Sequence, residues 1–267
     1  MNKFVPKPAI TKNFNIKLLS LVMISIILAA GQGSRMRPLS YVIPKILLPV
    51  HGKPVLSYLL KNMNGLRIDK TYIVASEHIE QIQTYIDKTN MENVYVVNGL
   101  GWETGGDLSI ALENINHVDD TIVLNGDIIT DISLKKVYQE HRNVDPYVTI
   151  GIFNLKDTKE IKRFGRIYTD EHNMITNFTE KPENNNIGPN NVNSGFYIFS
   201  KKIIENRSEY LVPRIFKLEQ ELFPRLAREY KLYASLCDLS YWWDVGTMES
   251  YLKAEQFFIN NHNIIPP

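Results

Sequence analysis

One short stretch of the sequence combines a flexible backbone with clustered positive charge, and this combination suits phosphate binding. An apolar run that begins at Ile26 ends at Gly31 and Gly33, and two arginines and then Lys45 follow. Two glycines allow neighbouring backbone N–H groups to converge on an anion without hindrance from side chains. The basic side chains add the charge that several phosphate groups require. We therefore predict that this loop binds a triphosphate.

Two common phosphate-binding patterns do not fit the loop. The dinucleotide fingerprint needs a third glycine, but Met36 occupies that position. The Walker A pattern needs Gly-Lys followed by Ser or Thr, and no such tripeptide closes the loop. The remaining alternative is an ordinary glycine turn with solvated basic residues. The surrounding sequence decides between this alternative and a phosphate site.

The elements predicted around the loop alternate between strand and helix, which is typical of an α/β sheet with mostly parallel strands. The loop follows a buried strand. The elements predicted after it are a helix at 54–63, a strand at 71–75, a helix at 78–88, a strand at 93–97, a glycine-rich loop at 99–106, a helix to about 114 and a strand at 121–124. This last strand delivers Asp127 to the carboxyl edge of the sheet, where open α/β folds bind ligands.

The second half reads differently, because several strands follow one another with few helices between them. We predict antiparallel pairing there. The predicted elements are strands at 147–153, 165–169, 174–178 and 192–199, a loop at 184–191, a helix at 215–230 interrupted near Pro224, a strand at 240–246 and a helix at 248–258. Asp244 lies beside glycine at the end of the last strand, as Asp127 does at the end of an earlier one.

Composition limits the function classes. The 267 residues include 30 basic and 29 acidic side chains, so no global field attracts nucleic acid or an anionic membrane. The single cysteine, Cys237, excludes an intrachain disulfide framework and reads as a small buried hydrophobe. Lys12 and Lys17 followed by an apolar run imitate a signal peptide, but cleavage there would remove the strand that leads into Gly31. The apolar run is also too short to span a bilayer.

A long ordered set of motifs resembles the sugar-1-phosphate nucleotidylyltransferases. LAAGQGSRMRPL from Leu28 is followed by PKILLPV from Pro44 and by Gly-Lys-Pro from Gly52. The family pattern is roughly L-A-A-G-x-G-T/S-R-M/L-x-P-L, then P-K-P-x-L-P-V and G-K-P. Ile46 replaces the second proline, but Lys45 is kept. The matches continue in the family's order to about Tyr251.

The resemblance implies a three-layer α/β/α fold with a mixed, mainly parallel central sheet and a small antiparallel acceptor-binding portion. It also implies one nucleotidyltransferase domain at 23–267, with a nucleotide-binding half at about 23–145 and a sugar-phosphate-binding half at about 146–267. We expect residues 1–22 to form a mobile or loosely packed extension.

The implied reaction needs cations, because a phosphate monoester attacks the α-phosphorus of a nucleoside triphosphate. Magnesium prefers carboxylate, phosphate and water oxygens. By resemblance, the catalytic residues are Arg35, Lys45 and Asp127, and the metal ligands are Asp127 and Asp244. The expected nucleotide-binding residues are Leu28, Ala30, Gly31, Gly33, Ser34, Arg35, Lys45, Thr104, Gly105 and Gly106.

The acceptor is expected to bind the second half, by resemblance to the family's E-K-P and N-A/S-G motifs. A carboxylate, an ammonium group and an amide together suit a sugar phosphate. The expected sugar-phosphate-binding residues are Gly165, Glu180, Lys181 and Asn193. The weakest correspondence is the segment around Thr104, where Glu103 and Asp107 replace the small residues that are usual in relatives. These acids lie where the base and ribose are expected, so the nucleotide preference does not carry over from the family.

The expected function is therefore magnesium-dependent transfer of a nucleoside monophosphate to a sugar 1-phosphate in the cytoplasm, with no nucleic acid or membrane partner and with a homo-oligomer left open. GTP with mannose 1-phosphate or a related sugar is our first choice. UTP, CTP or dTTP with glucose 1-phosphate comes second. The alternatives are a cytidylyltransferase for a non-sugar acceptor such as phosphocholine, a catalytically silent nucleotide-sugar-binding homologue that regulates a partner, and a Rossmann dehydrogenase.

Overall fold

The computed structural model describes residues 23–115, 119–155, 164–180, 188–261 and 264, and it forms an α/β sheet covered on both faces. Residues 184–187 of the predicted loop at 184–191 lie outside these ranges. The strands are β1 Met23–Leu28, β2 Pro49–Val50, β3 Lys53–Pro54, β4 Ile68–Ala75, β5 Val94–Asn98, β6 Thr121–Asn125, β7 Ile128–Thr130, β8 Val148–Asn154, β9 Arg166–Thr169, β10 Ile175–Thr179, β11 Asn191–Phe199, β12 Leu232–Leu236 and β13 Trp242–Asp244. The helices are α1 Val55–Asn62, α2 Ile79–Lys88, α3 Glu103–Ile115, α4 Leu134–Val144, α5 Lys201–Glu205, α6 Arg207–Tyr210, α7 Phe223–Arg228 and α8 Met248–Asn260.

The central sheet is mixed, as predicted. Within the described ranges its strand order is β10-β9-β11-β6-β1-β4-β5, with β8 paired to both β11 and β12. β1 runs parallel to β4 and β6, and β4 runs parallel to β5. β11 runs antiparallel to β6, β8 and β9, whereas β12 is parallel to β8. The change from parallel to antiparallel pairing therefore falls between β6 and β11.

Both faces of β1 and β6 are buried, which explains why the sequence from Ile26 reads as a continuous apolar run rather than an alternating one. Ile27 packs into a cluster with side chains of α1, α2, α4 and α8. Ile26 points to the opposite face, into a cluster with side chains of α3, α5 and α7. Both isoleucines are fully buried. The predicted three-layer arrangement is confirmed.

Two predicted boundaries are wrong, namely the start of α3 and the start of the helix predicted at 215–230. Both lie where the 214–216 segment packs against α3. α3 begins at Glu103, so Gly105 and Gly106 belong to a helix and not to the predicted loop. A Cβ on Gly105 would lie 2.2 Å from the Phe216 ring, and one on Gly106 would lie 2.3 Å from the Arg214 carbonyl oxygen. The glycines thus allow the 214–216 segment to lie directly on the helix, a contact that sequence spacing does not reveal.

The helical segment that the sequence predicts at 215–230 covers only residues 218–228 in the structure. Its first turn is a π-helix at Leu218–Leu222, and α7 follows with Pro224 in its first turn. Proline is tolerated there because its missing N–H would have no helical partner.

Cys237 is buried just after β12, where burial raises the pKa of its thiol to about 12. In the described ranges, no helix combines the length and apolar character that a bilayer crossing requires.

Candidate active site

The glycine loop lies at the carboxyl end of β1, and side chains from neighbouring segments hold its carbonyl groups. Ser76 Oγ donates to the Ala30 carbonyl oxygen at 2.7 Å, and Ser40 Oγ donates to the Gly33 carbonyl oxygen at 2.8 Å. His78 Nε2 lies 3.0 Å from the Ser40 carbonyl oxygen, which requires the ring nitrogen to donate. Gly33 has φ 61°, a left-handed conformation that glycine adopts without steric cost. Side chains from other segments thus fix the conformation of the loop, which suits anion binding by its backbone N–H groups.

A lysine and an aspartate meet beside this loop. Lys45 Nζ donates to Asp127 Oδ2 at 2.8 Å, and both side chains are largely buried. Lys45 begins a short 3-10 turn after Pro44, whereas Asp127 follows β6. The interaction therefore joins two segments that are far apart in the chain.

Asp244 is delivered to the same place by β13. β13 pairs antiparallel with β7, and Val245 N donates to the Asp127 carbonyl oxygen at 2.9 Å. The next turn is closed by Gly246 N, which donates to Asp244 Oδ1 at 2.6 Å. The Thr247 hydroxyl accepts from Ser250 N at 3.2 Å in a capping box that fixes the start of α8. The backbone that follows Asp244 is therefore fixed by the Asp244 side chain and by the capping box of α8.

Gly246 lies at the centre of the charged group. A Cβ built on this glycine would lie 2.6 Å from Asp244 Oδ1 and 3.5 Å from both Asp127 Oδ2 and Arg35 Nη2. Two carboxylates and a guanidinium thus surround one backbone position. The structure brings together the four residues predicted to bind metal or stabilise charge, Arg35, Lys45, Asp127 and Asp244.

The pKa directions show how unequal the two carboxylates are. Burial alone would raise the pKa of Asp127, but the charges of Lys45 and Arg35 and the hydrogen bond from Lys45 lower it below its usual range. Burial and the nearby negative charge of Asp127 raise the pKa of Asp244. The pKa of Lys45 is raised chiefly by the charge of Asp127, so its ammonium group stays protonated. Lys45 therefore stabilises the charged form of Asp127 more than that of Asp244.

A cavity of about 490 Å³ opens over these strand ends, within the usual range for small-molecule sites. Lys45 and Asp127 line this cavity together with Glu103 and Thr104. Of the expected nucleotide-binding residues, Leu28, Ala30, Gly31, Lys45 and Thr104 line this cavity. Gly33 lines a smaller adjoining cleft with Ser40 and His78. Ser34 and Arg35 lie in the 3-10 turn that follows Gly33.

Gly105 and Gly106 face away from the cavity, against Phe216 and Arg214. The Thr104 hydroxyl already makes two hydrogen bonds within the protein. It donates to Glu219 Oε2 at 2.8 Å and accepts from Leu218 N at 3.0 Å. These three residues hold the π-helical turn in place next to the cavity.

Three of the expected sugar-phosphate-binding residues come together, and Lys181 lies outside the described residues. Asn193 N donates to the Gly165 carbonyl oxygen at 3.2 Å. A Cβ on Gly165 would lie 2.8 Å from Phe178 Cζ and 2.9 Å from Glu180 Oε2, so the glycine lies close to both side chains. Gly165, Glu180 and Asn193 thus form one cluster beside the antiparallel strands.

Sequence reasoning missed a buried polar network that connects this cluster to Thr104. Asn193 Nδ2 donates to the Tyr197 hydroxyl at 2.8 Å, and that hydroxyl donates to Glu219 Oε1 at 3.4 Å. Burial and then the charge of Glu219 raise the pKa of Tyr197 well above its ordinary value. The Asn125 amide nitrogen also reaches the Tyr197 hydroxyl at 3.5 Å. No motif marks Tyr197 or Glu219, because each reads as part of an ordinary strand or helix.

A nucleotidyl transferase family model matches residues 24–261. The chain belongs to the nucleotidyl transferase family. It is 28% identical to a mannose-1-phosphate guanylyltransferase catalytic subunit beta of Drosophila pseudoobscura pseudoobscura, over 89% of this chain and 62% of that one. It is also 28% identical to a D-glycero-alpha-D-manno-heptose 1-phosphate guanylyltransferase of Aneurinibacillus thermoaerophilus, over 88% of this chain and 97% of that one.

A Bacillus anthracis protein assigned as a glucose-1-phosphate thymidylyltransferase, solved in complex with sucrose, shares the fold. Its TM-score is 0.71 at 20% identity, covering 88% of this chain and 95% of that one. The chain spans about three fifths of the length of the first curated relatives that it matches. The predicted family and enzyme class are confirmed.

Proposed function

We propose that this nucleotidyl transferase moves a nucleoside monophosphate from a nucleoside triphosphate to a sugar 1-phosphate and releases pyrophosphate. The observation that carries the proposal is the meeting of Arg35, Lys45, Asp127 and Asp244 beside a glycine loop at the carboxyl edge of the sheet. This arrangement provides the opposite charges that an in-line reaction between phosphates needs. The supporting relatives named above include guanylyltransferases for mannose and heptose 1-phosphates.

In the proposed reaction, an oxygen of the sugar phosphate bonds to the α-phosphorus while the bond from that phosphorus to the bridging oxygen breaks. The electron pair leaves with pyrophosphate. Lys45 would neutralise charge near the α-phosphate, and the planar guanidinium of Arg35 would hold two oxygens of the departing group. The attacking monoester is already an anion, so orientation and charge neutralisation suffice without a general base.

Asp127 and Asp244 fit a divalent ion such as magnesium. They offer hard oxygen ligands, and both carboxylates lie next to the same backbone position, Gly246. No group of three or more His, Cys, Asp or Glu side chains gathers as a metal cage in the part of the chain that the structure describes. Magnesium often takes only one or two protein carboxylates and fills its other positions with phosphate and water. When bound, it would neutralise charge on the reacting phosphates.

The acceptor would bind the cluster of Gly165, Glu180 and Asn193. Glu180 is suited to accept hydrogen bonds from sugar hydroxyl groups. We propose that the nucleotide-binding half at 23–145 and this acceptor-binding half at 146–267 act as one domain, because β6 and β11 pair directly within one sheet. A GTP enzyme for mannose 1-phosphate or a related sugar is our first choice.

The test is pyrophosphate release from GTP, UTP, CTP and dTTP, each mixed with magnesium and one of several sugar 1-phosphates or phosphocholine. We expect release with at least one sugar 1-phosphate and formation of the matching nucleotide sugar. Release only with phosphocholine would replace the acceptor. No release from any pair, with a nucleotide sugar still bound, would favour the regulatory homologue.

A further inference from the structure

Glu103 has a backbone conformation that its residue type does not favour. It begins α3 with φ 63°, in the left-handed region where a non-glycine residue is uncommon. Such conformations cluster at ligand-binding sites, where the surrounding structure maintains them. Its side chain lines the cavity and is 48% exposed.

Asp107, the second acid in this segment, has a different role. It is buried, and its Oδ1 accepts from the backbone N–H groups of Leu100 and Trp102 at 2.9 and 3.2 Å. Asp107 therefore shapes the turn that leads to Glu103. The carboxylate of Glu103 lies 3.7 Å from Lys217 Nζ, an exposed pair that is too long for a strong hydrogen bond.

Packing holds the two side chains of this pair close together. Gly105 N donates to the Phe216 carbonyl oxygen at 3.0 Å, and Phe216 N donates to the Trp102 carbonyl oxygen at 3.4 Å. These bonds join the start of α3 to the segment that carries Lys217. A carboxylate that lines the cavity and an ammonium group beside it are thus presented together.

This pair complements one nucleobase edge. Guanine presents two neighbouring donors, N1–H and the 2-amino group, next to the O6 acceptor, whereas uracil and thymine place one donor between two acceptors. Cytosine and adenine place a ring-nitrogen acceptor next to their amino donor. A carboxylate accepts from both guanine donors, and an ammonium group donates to O6.

We propose that Glu103 selects guanine by accepting from N1–H and the 2-amino group, and that Lys217 supports this selection at O6. The inference rests on the proposed function and names the base that the triphosphate carries. It concerns a side chain, Glu103, that replaces the small residue usual in relatives.

The test compares GTP with inosine triphosphate, which lacks only the 2-amino group, in the full-length protein. Loss of a hydrogen bond to a charged acceptor should make ITP about tenfold worse or more in kcat/KM. Glu103→Gln should bring the GTP/ITP ratio in kcat/KM close to one, because the amide no longer offers two charged acceptor oxygens. Lys217→Met should weaken GTP and ITP alike, because both carry O6. Glu205→Gln is the matched control, since Glu205 and Lys201 form an exposed pair at 3.5 Å on α5.

Glu103→Gly separates recognition from structure. Glycine adopts φ 63° without strain, so this variant should melt at a higher temperature while losing the preference for GTP over ITP. A lower melting temperature with an unchanged GTP/ITP ratio would make Glu103 a structural residue and overturn the inference.

Calorimetry of GTP and ITP binding distinguishes failure of the inference from failure of the proposed function. If transfer occurs but GTP and ITP behave equally in the wild type, guanine selection by Glu103 is refuted and nucleotidyl transfer stands. If no transfer occurs but binding favours GTP over ITP only when Glu103 is present, the inference stands without the reaction. If neither transfer nor preferential binding occurs, both fail.

Discussion

Lys45 Nζ lies 2.8 Å from Asp127 Oδ2, across 82 positions of the chain. The pair joins the segment after the glycine loop to the end of β6. With Arg35 and Asp244 beside this pair, the site offers positive charge to an anionic substrate and carboxylate oxygens to a metal ion. A phosphate-transfer site needs both properties, since it must attract an anionic substrate and hold a metal ion.

Arg35→Ala should reduce kcat more than triphosphate affinity. Negative charge grows on pyrophosphate only as its bond to the α-phosphorus breaks, so a guanidinium that binds the departing group acts mainly on the transition state. We expect a loss of roughly 100-fold or more in kcat, the scale at which one preorganised donor is felt. Steady-state kinetics and calorimetry measure the two effects separately.

Arg35→Lys is the matched variant and should recover only part of this loss, because an ammonium group cannot bind two phosphate oxygens as a planar fork does. If Arg35→Ala raised only KM and left kcat intact, the loop would act as a binding site alone. Charge stabilisation would then have to come from Lys45 and the metal.

Gly33→Ala should raise KM for the triphosphate by about tenfold or more, because small displacements of a positioning group are costly. Gly33 has φ 61°, and an added Cβ would lie 3.0 Å from Ser40 Cβ, whose hydroxyl holds the loop. Gly52→Ala is the control, since Gly52 has φ 73° but no atom within 4 Å of an added Cβ. Both variants should lose stability, and equal KM values in the two would contradict a role for the loop in binding.

The loop and the parallel strands could be predicted from the sequence because their signals are local. β1 is apolar except for Ser25 since both of its faces are buried, and Gly33 marks a left-handed turn. The network from Thr104 through Glu219 to Tyr197 could not be predicted, because its members are joined only by tertiary packing. The same holds for the start of α3, where Phe216 explains Gly105.

Stability should fall as the pH decreases from about 6.5 to about 4, partly because of His141. This side chain is buried, its Nδ1 lies 2.7 Å from Thr149 Oγ1, and burial lowers its pKa to about 4 despite the opposing charge of Asp120. Between these pH values the unfolded chain binds a proton that the folded chain does not. Each pH unit then costs up to about 1.4 kcal/mol of unfolding free energy.

Urea unfolding at a series of pH values measures this slope. His141→Gln should lower stability at pH 7 and flatten the slope between pH 6.5 and 4. Four other titratable side chains face the His141 ring and should be retained in the variant, namely Arg142, Asp145, Lys202 and Tyr138. An unchanged slope would mean that carboxylates alone cause the acid sensitivity.

The most direct measurement is pyrophosphate release by the full-length protein from GTP and mannose 1-phosphate, with and without magnesium, in the wild type and in Asp127→Asn. We predict magnesium-dependent release with GDP-mannose as the second product, and a loss of roughly 100-fold or more in Asp127→Asn, because the variant removes a proposed metal ligand and the partner of Lys45. Release with another triphosphate and sugar 1-phosphate would change the assigned substrates but leave the proposed nucleotidyl transfer in place. Absence of release with every pair, or full activity in Asp127→Asn, would contradict it.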